Sequence, residues 1–307
     1  MARVDIIIPS YGRPYDLARC LTALLAQSFQ DFQILCICRD GDSETHLILA
    51  DFCDRDTRVR EVPICEPGFI AALNAGFARA MAPFVCFTDD DAEAPPHWLQ
   101  TLMDHFASHP ECGAAGGQDK LRLPNKKLSD PPIVKKVGVY SWTGKWHATH
   151  HCPIREDFLP VRILKGVNMT YRRELIENFK IGEGLIGGGA QVGTEQGLAD
   201  RVIRSCKQLH FLRDAWVLHH CAPRKQGDER VNPFLQFALE TTYNNAYTLW
   251  RYQKIQIAIV AQVRSFIIGS QKIPGVLRLF LQPSKVLLSL KHWGKMLEGI
   301  KKGVTDR

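Results

Sequence analysis

The chain has no Cys-x-x-Cys pair and no Cys-His cluster at zinc spacing, so its ten cysteines suggest neither a zinc finger nor a disulfide framework. Several of them (Cys20, Cys36, Cys38, Cys86) sit inside apolar runs, where a free thiol acts as a small hydrophobe. That usage points to a reducing compartment. No uninterrupted apolar run reaches the roughly 18 residues of a membrane span. The chain enters a strand-like run at Val4, so no signal peptide is expected. The first strand lacks Gly-x-Gly-x-x-Gly, which argues against a dehydrogenase. The glycine-rich run from Gly182 to Gly193 is not followed by Gly-Lys-Ser/Thr, so it is not a P-loop. Neither sign of charge dominates: the formal net charge of +7 favours anionic partners without naming nucleic acid. The basic residues are spread out, apolar segments interrupt them, and no nucleic-acid-binding motif is present.

What the chain does have is alternation. Its 307 residues, 45% hydrophobic and 23% charged, can bury a substantial core. Strand-like runs at Val4–Ile8, Gln33–Cys38, Val59–Ile64 and Phe84–Phe87 alternate with helical patterns. The first helix opens at Pro14 with Leu17, Leu21, Leu24 and Leu25 on one face. Another places Phe69, Leu73, Phe77 and Ala80 together, and a third, after Pro95-Pro96, Trp98, Leu99, Leu102 and Phe106. Four alternations predict an α/β fold with a mainly parallel twisted sheet flanked by helices. A later helix is expected to turn Leu198, Val202, Ile203 and Cys206 inward, and a last strand runs from Leu209 to Leu218. From Asn232 the chain becomes helical, aromatic and basic, with eleven Lys or Arg over 251–307 against Glu298 and Asp306.

Three strand ends are polar: Ser10-Tyr11, Arg39-Asp40 and Asp89-Asp90-Asp91. In a parallel sheet they lie along one edge, where open α/β folds bind ligands. Adjacent carboxylates repel unless a positive charge shares them, and a divalent cation with phosphate oxygens does so readily. These residue types suit a nucleotide: Tyr11 to stack on a base, Asp40 to accept from its N–H groups, Asp89 to accept from ribose hydroxyls, Asp91 to hold a metal. The alternative for each alone is ordinary turn chemistry, and for the acidic stretch a solvated loop with a helix-capping Asp.

The segments Ile-Ile-Ile-Pro-Ser-Tyr-Gly-Arg-Pro, Arg-Asp-Gly-Asp-Ser, Ala72-Leu73-Asn74-Ala75-Gly76 and Thr-Asp-Asp-Asp, in that order and spacing, together resemble a family-two glycosyltransferase of GT-A fold. The resemblance covers roughly residues 1–222. It implies a transferase that moves a sugar from a nucleotide-diphosphate sugar to an acceptor hydroxyl, with Mn²⁺ or Mg²⁺ and commonly with inversion. By this resemblance Pro9, Ser10, Tyr11, Arg13, Asp40, Asn74, Asp89, Asp90, Arg172 and Arg173 are expected around the nucleotide sugar. Asp91 and His219 are the implied metal ligands, and Glu195 the implied base, with Asp200 in reserve. Three positions depart from the family pattern: Gly12 for Asn, Arg39 for a further Asp, and Gln196 where the family commonly has Asp after the Glu. A nucleotidyltransferase of related fold is the nearest rival. It would carry an N-terminal glycine-rich loop, whereas Pro9 to Pro14 holds only Gly12.

Three parts are therefore expected: residues 1–118 as the nucleotide-binding half, 119–231 as the acceptor and catalytic half, and 232–307 as a helical basic C-terminal extension. Lys126-Lys127, Trp142, Trp146 and His150-His151 lie in a less patterned insertion, either an acceptor-facing lid or a surface loop. Val286, Leu290, Trp293, Leu297 and Ile300 share one helical face, with Lys291, Lys295 and Lys302 on the other. That pattern fits either an interfacial helix or one packed on the catalytic part. The expected partners are the sugar donor, a glycan or lipid-linked acceptor and a membrane surface, not nucleic acid. The expected location is cytoplasmic, peripheral at the inner membrane face.

Overall fold

Strand β1 (Val4–Ser10) is nearly all apolar because both its faces are covered. Ile6 and Ile8 point into one core with Leu17, Trp98 and Phe106, and Ile7 into a second with Leu35, Phe87, Tyr171 and Leu198. The exception is Asp5, fully buried and bonded to the backbone N–H groups of Met81 and Ala82 at 2.6 and 2.8 Å. The computed structural model describes residues 2–123, 130–187, 192–222, 234–269 and 274–307.

The chain continues through α1 (Pro14–Leu25), β2 (Phe32–Arg39), α2 (Ser43–Arg55), β3 (Val59–Ile64), α3 (Phe69–Arg79), β4 (Phe84–Phe87), the short β5 (Ala92–Glu93) and α4 (Trp98–Ser108). Then come β6 (Cys112–Leu121), a hairpin of β7 (Val139–Tyr140) and β8 (Trp146–His147), β9 (Phe158–Val161) and β10 (Met169–Arg172). A single-turn α5 (Arg173–Ile176), α6 (Thr194–Arg204) and β11 (Gln208–His219) complete the sheet region. The expected strands are present. Helix α2 and strands β6, β9 and β10 were not expected, and Cys206 lies exposed beyond the end of α6 instead of inward.

Among the described residues, the main sheet has nine strands in the order β3-β2-β1-β4-β10-β6-β11-β5, with β9 also paired to β11. Strands β1 to β4, β6 and β11 point the same way; β10 runs against both its neighbours, as do β5 and β9 against β11. The carboxyl ends of β1, β2, β4, β6 and β11 therefore share one edge, and that edge carries the polar residues.

The C-terminal part is helical: α7 (Phe234–Tyr252), α8 (Ile255–Ile267), α9 (Val276–Leu279) and α10 (Val286–Thr305). Helix α10 lies on α7 through His292, Gly299 and Gly303, while Ser289 Oγ donates to the Pro274 carbonyl at 3.0 Å. A Cβ at Gly299 or Gly303 would strike the carbonyl of Tyr243 or Tyr247, so the small residues permit this close approach. The contact uses the narrow small-residue stripe, and Leu290 and Leu297 of the apolar face stay 52% and 61% exposed. Among the described residues, no helix is long and apolar enough to cross a membrane.

Candidate active site

The acidic end of β4 divides its three carboxylates between interior and cleft. Asp90 is fully buried. It accepts from Ser10 Oγ at 2.8 Å, and Arg13 Nη2 lies 2.7 Å from its Oδ1. Burial drives its pKa up to about 7, although Arg13 works against that rise. Arg13 also reaches Asp91 Oδ2 at 3.2 Å, and Ala222 N–H donates to the same oxygen at 2.9 Å. These contacts leave Asp91 Oδ1 facing His219 Nε2, 3.4 Å away at the end of β11. The half-buried Asp89 completes the group: ligand atoms of Asp89, Asp91 and His219 lie within 4.8 Å of one another. Two carboxylate oxygens and one imidazole nitrogen form a donor set that suits Mn²⁺ and accepts Mg²⁺.

A further carboxylate supports this group from behind. Asp119, fully buried near the end of β6, pairs with Lys165 Nζ and stands 3.6 Å from His219 Nδ1. Burial alone would raise the Asp119 pKa, but His219 and Lys165 overcome it and hold the carboxyl below its usual value. His219 shows the converse. Burial pushes its imidazole down, and Asp119, Asp91 and Asp89 together more than reverse that, so the net shift is upward. The sequence reading missed Asp119 and Lys165. The available signal was a second strand-end carboxylate in Gly116-Gly117-Gln118-Asp119, on a glycine-rich strand with little apolar pattern.

Glu195 stands at the start of α6. Gly193, with φ of 102°, adopts the left-handed backbone that admits the chain into this helix. The Glu195 carboxylate accepts backbone N–H bonds from Gly166 and from its own residue, and burial still raises its pKa. Gln196 points elsewhere, donating to Thr248 Oγ1 at 2.8 Å. Asp200 pairs with Arg204 at 2.5 Å on the same helix. Glu195 and Lys165 line an open cleft of about 700 Å³, together with Trp146 of the β7–β8 hairpin, Asn245 of α7, Gln262 of α8 and Trp293 of α10. The C-terminal helices thus form one wall of the cleft that Glu195 lines, which the sequence pattern did not indicate.

The expected nucleotide residues divide. Pro9 and Ser10 end β1, opposite Ile37 and Cys38 of β2. Tyr11 lies under the Arg39 guanidinium at 5.3 Å, and Asp40 is exposed, accepting from Cys65 Sγ at 2.8 Å. These residues line the β1–β2 side of the edge. Asp90 and Arg13 are instead an internal ion pair that positions Asp91.

Asn74 bridges α3 to Ile181, donating to its carbonyl and accepting from its N–H, both at 3.0 Å. Arg172 and Arg173 are not at the site. Strand β10 is antiparallel to β4, so Met169 faces Phe87 while Arg172 faces Phe84, at the amino end. Arg172 donates to the carbonyls of Cys112 and Phe106, each at 2.9 Å, and Arg173 pairs with Glu177 at 3.5 Å. The basic residue that this segment does bring to the site is Lys165. Of the glycine-rich run, Gly188 and Gly189 lie outside the described residues, as do Lys126 and Lys127.

Residues 5–179 match the model of glycosyl transferase family 2. Glucosyl-dolichyl phosphate glucuronosyltransferase of Haloferax volcanii is 25% identical over 38% of this chain and 37% of its own length. An uncharacterized glycosyltransferase of Nostoc sp. is 25% identical over 57% of this chain and 52% of its own. The chain spans about a third to a half of the length of these curated relatives. Among solved structures, Staphylococcus aureus TarS 1–349 in complex with UDP-GlcNAc superposes with a TM-score of 0.64 at 14% identity, over 98% of this chain and 82% of that one. The mannosyltransferase PcManGT of Pyrobaculum calidifontis, in complex with GDP-Man and Mn²⁺, gives 0.56 at 14% identity, over 99% and 86%. At these identities the likeness shows the shared fold.

Proposed function

Because the chain belongs to glycosyl transferase family 2, we propose that it moves a sugar from a nucleotide-diphosphate donor to an acceptor hydroxyl, with inversion. One observation supports the reading: Asp89, Asp91 and His219 meet at the sheet edge, while Glu195 lines a cleft close by. Tyr11 and Asp40 take the nucleoside at the β1–β2 side. Asp89, Asp91 and His219 hold Mn²⁺ or Mg²⁺, which when bound offsets the charge of the leaving diphosphate. The acceptor hydroxyl attacks the anomeric carbon, Glu195 takes its proton, and the bond from that carbon to the diphosphate oxygen breaks. Lys165 and the Arg13–Asp90 pair keep His219 and Asp91 in register with this chemistry.

The acceptor enters the cavity between Glu195 and the C-terminal helices. Aromatic faces of Trp146 and Trp293 beside the amides of Asn245 and Gln262 suit a sugar ring. A lipid-linked or growing glycan is the acceptor class we favour. Leu277, Phe280, Leu281, Leu287 and Leu290 are between 52% and 83% exposed, with Arg278, Lys285 and Lys291 among them. That surface supports reversible binding to the anionic face of a membrane, where a lipid-linked acceptor resides.

The test is hydrolysis of a panel of nucleotide-diphosphate sugars with and without Mn²⁺. One donor is expected to be cleaved well above the rest, with metal required. Failure to bind or cleave any nucleotide sugar would overturn the reading.

A further inference from the structure

The fold gathers a second set of metal-ligating side chains at the opposite end of the sheet. His105 lies in the last turn of α4, His109 just beyond it, Cys112 at the start of β6 and His210 near the start of β11. Cys112 is seven residues before Asp119 on β6, so roughly 23 Å of strand separates this cluster from the acidic edge. His105 Nε2 and His210 Nδ1 are 2.8 Å apart, and with Cys112 Sγ they lie within 4.8 Å of one another. The His109 ring stacks on His105 with centroids 4.1 Å apart. We propose that His105, Cys112 and His210 bind a thiophilic divalent cation such as Zn²⁺, with solvent completing the fourth position.

The ligand chemistry agrees. Zinc is held by thiolate and imidazole, with Zn–N near 2.0–2.1 Å, so two nitrogens of a tetrahedral site stand roughly 3.3 Å apart. A shift of about half an ångström opens the His105–His210 pair to that spacing. The second ring nitrogen of His210 is already engaged as a ligating histidine requires. His210 Nε2 donates to Gln208 Oε1 at 3.1 Å, directing Nδ1 inward. His109 Nδ1 donates to the His105 carbonyl at 3.2 Å and its ring stacks on that of His105, so His109 braces this ligand. One proton now bridges His105 and His210. When the cation binds, His105 carries its proton on Nδ1 and Cys112 releases its thiol proton to solvent.

The surroundings hold this loop in place. Arg172 bonds the carbonyls of Phe106 and Cys112, bracing the turn on both sides of the ligands. Phe158 covers the cluster, stacked on His210 at 4.4 Å. The spacing His-x₃-His-x₂-Cys is present in the sequence after all. The completing His210 is about a hundred residues away in the chain, so the local pattern lacks a third histidine or second cysteine.

The experiment uses the full chain, stripped with a chelator and then titrated with Zn²⁺ against a chromophoric competitor. Co²⁺ substitution is read in parallel. We expect one zinc per chain, a thiolate-to-cobalt charge-transfer band, and at least a 100-fold loss of affinity in Cys112→Ser and His105→Gln. Asp89→Asn/Asp91→Asn should retain the zinc, as should His46→Gln at the separate Cys38–His46–Glu61 cluster. Circular dichroism checks that the variants fold, and the wild-type cobalt spectrum does not depend on any variant. No retained zinc, no charge-transfer band, or a loss that follows Asp89 and Asp91 or His46 would overturn the proposal.

Discussion

Glu195→Gln separates a proton acceptor from a mere helix cap. The substitution is nearly isosteric, and the amide oxygen still accepts from the Gly166 N–H, so the loop keeps its contact. A glutamine cannot take a proton from the acceptor. General base catalysis contributes ~10²–10⁴-fold, and the lower half of that range applies when the leaving group is well stabilised. That range corresponds to a barrier rise of about 2.7–4 kcal/mol. Water entering the cavity serves as acceptor, so the assay is nucleotide-sugar hydrolysis followed through nucleoside diphosphate release. We expect kcat to fall ~10²–10³-fold while donor affinity, measured by calorimetry, stays near wild type.

Two pH readouts accompany it. Burial raises the Glu195 pKa, so wild-type kcat should fall as pH drops through a value above the ordinary glutamate range, and the variant should lose that limb. The folded-state pKa also exceeds the unfolded one, so ionised Glu195 disfavours folding at neutral pH and this penalty disappears in acid. Glu195→Gln should therefore melt no lower than wild type at pH 7, with the difference shrinking as pH falls. A helix cap would behave oppositely, with a lower Tm and unchanged kcat. Retained turnover together with lowered stability would refute the reasoning.

Further outcomes are expected elsewhere. Asp91→Asn should abolish the gain in nucleotide-diphosphate affinity that Mn²⁺ brings; equal wild-type affinity with and without Mn²⁺ in calorimetry would remove the metal role. Arg172→Ala should lose about 2–4 kcal/mol in urea unfolding, through two buried carbonyls left unpaired, with donor KM unchanged; a raised donor KM would return Arg172 to the site. Phe280→Glu/Leu281→Glu should release the chain from anionic vesicles in flotation at low salt, since both side chains are more than 80% exposed; unchanged flotation, or none in wild type, would refute the membrane surface.

Local chemistry made much of this protein legible. Continuous apolar runs ending in polar residues identify buried strands, because a strand covered on both faces must be apolar until it emerges. Thr88-Asp89-Asp90-Asp91 therefore read correctly as the polar end of a strand. Strand β6 escaped because Gly113, Ala114, Ala115, Gly116 and Gly117 carry little apolar signal, and Asp119 escaped with it. Asp90 and Arg13 looked like cleft residues because consecutive carboxylates look alike in sequence. Which one turns inward depends on Ser10 and Arg13 from a different strand end.

The sequence by itself determined the α/β alternation, the family resemblance and the acidic edge, all carried by short-range pattern and contiguous motifs. Tertiary structure decided the rest. The antiparallel insertion of β10 reversed the direction of 169–172 and moved Arg172 to the far end, while Lys165 at the preceding turn came to the site. The close approach of α10 to α7 through glycine left leucines outside and set one wall of the cleft that Glu195 lines. Strand direction, side-chain facing and long-range pairing depend on which segments share hydrogen bonds. Chain neighbours do not carry that information, so His105, Cys112 and His210 became a cluster only when β6 and β11 paired.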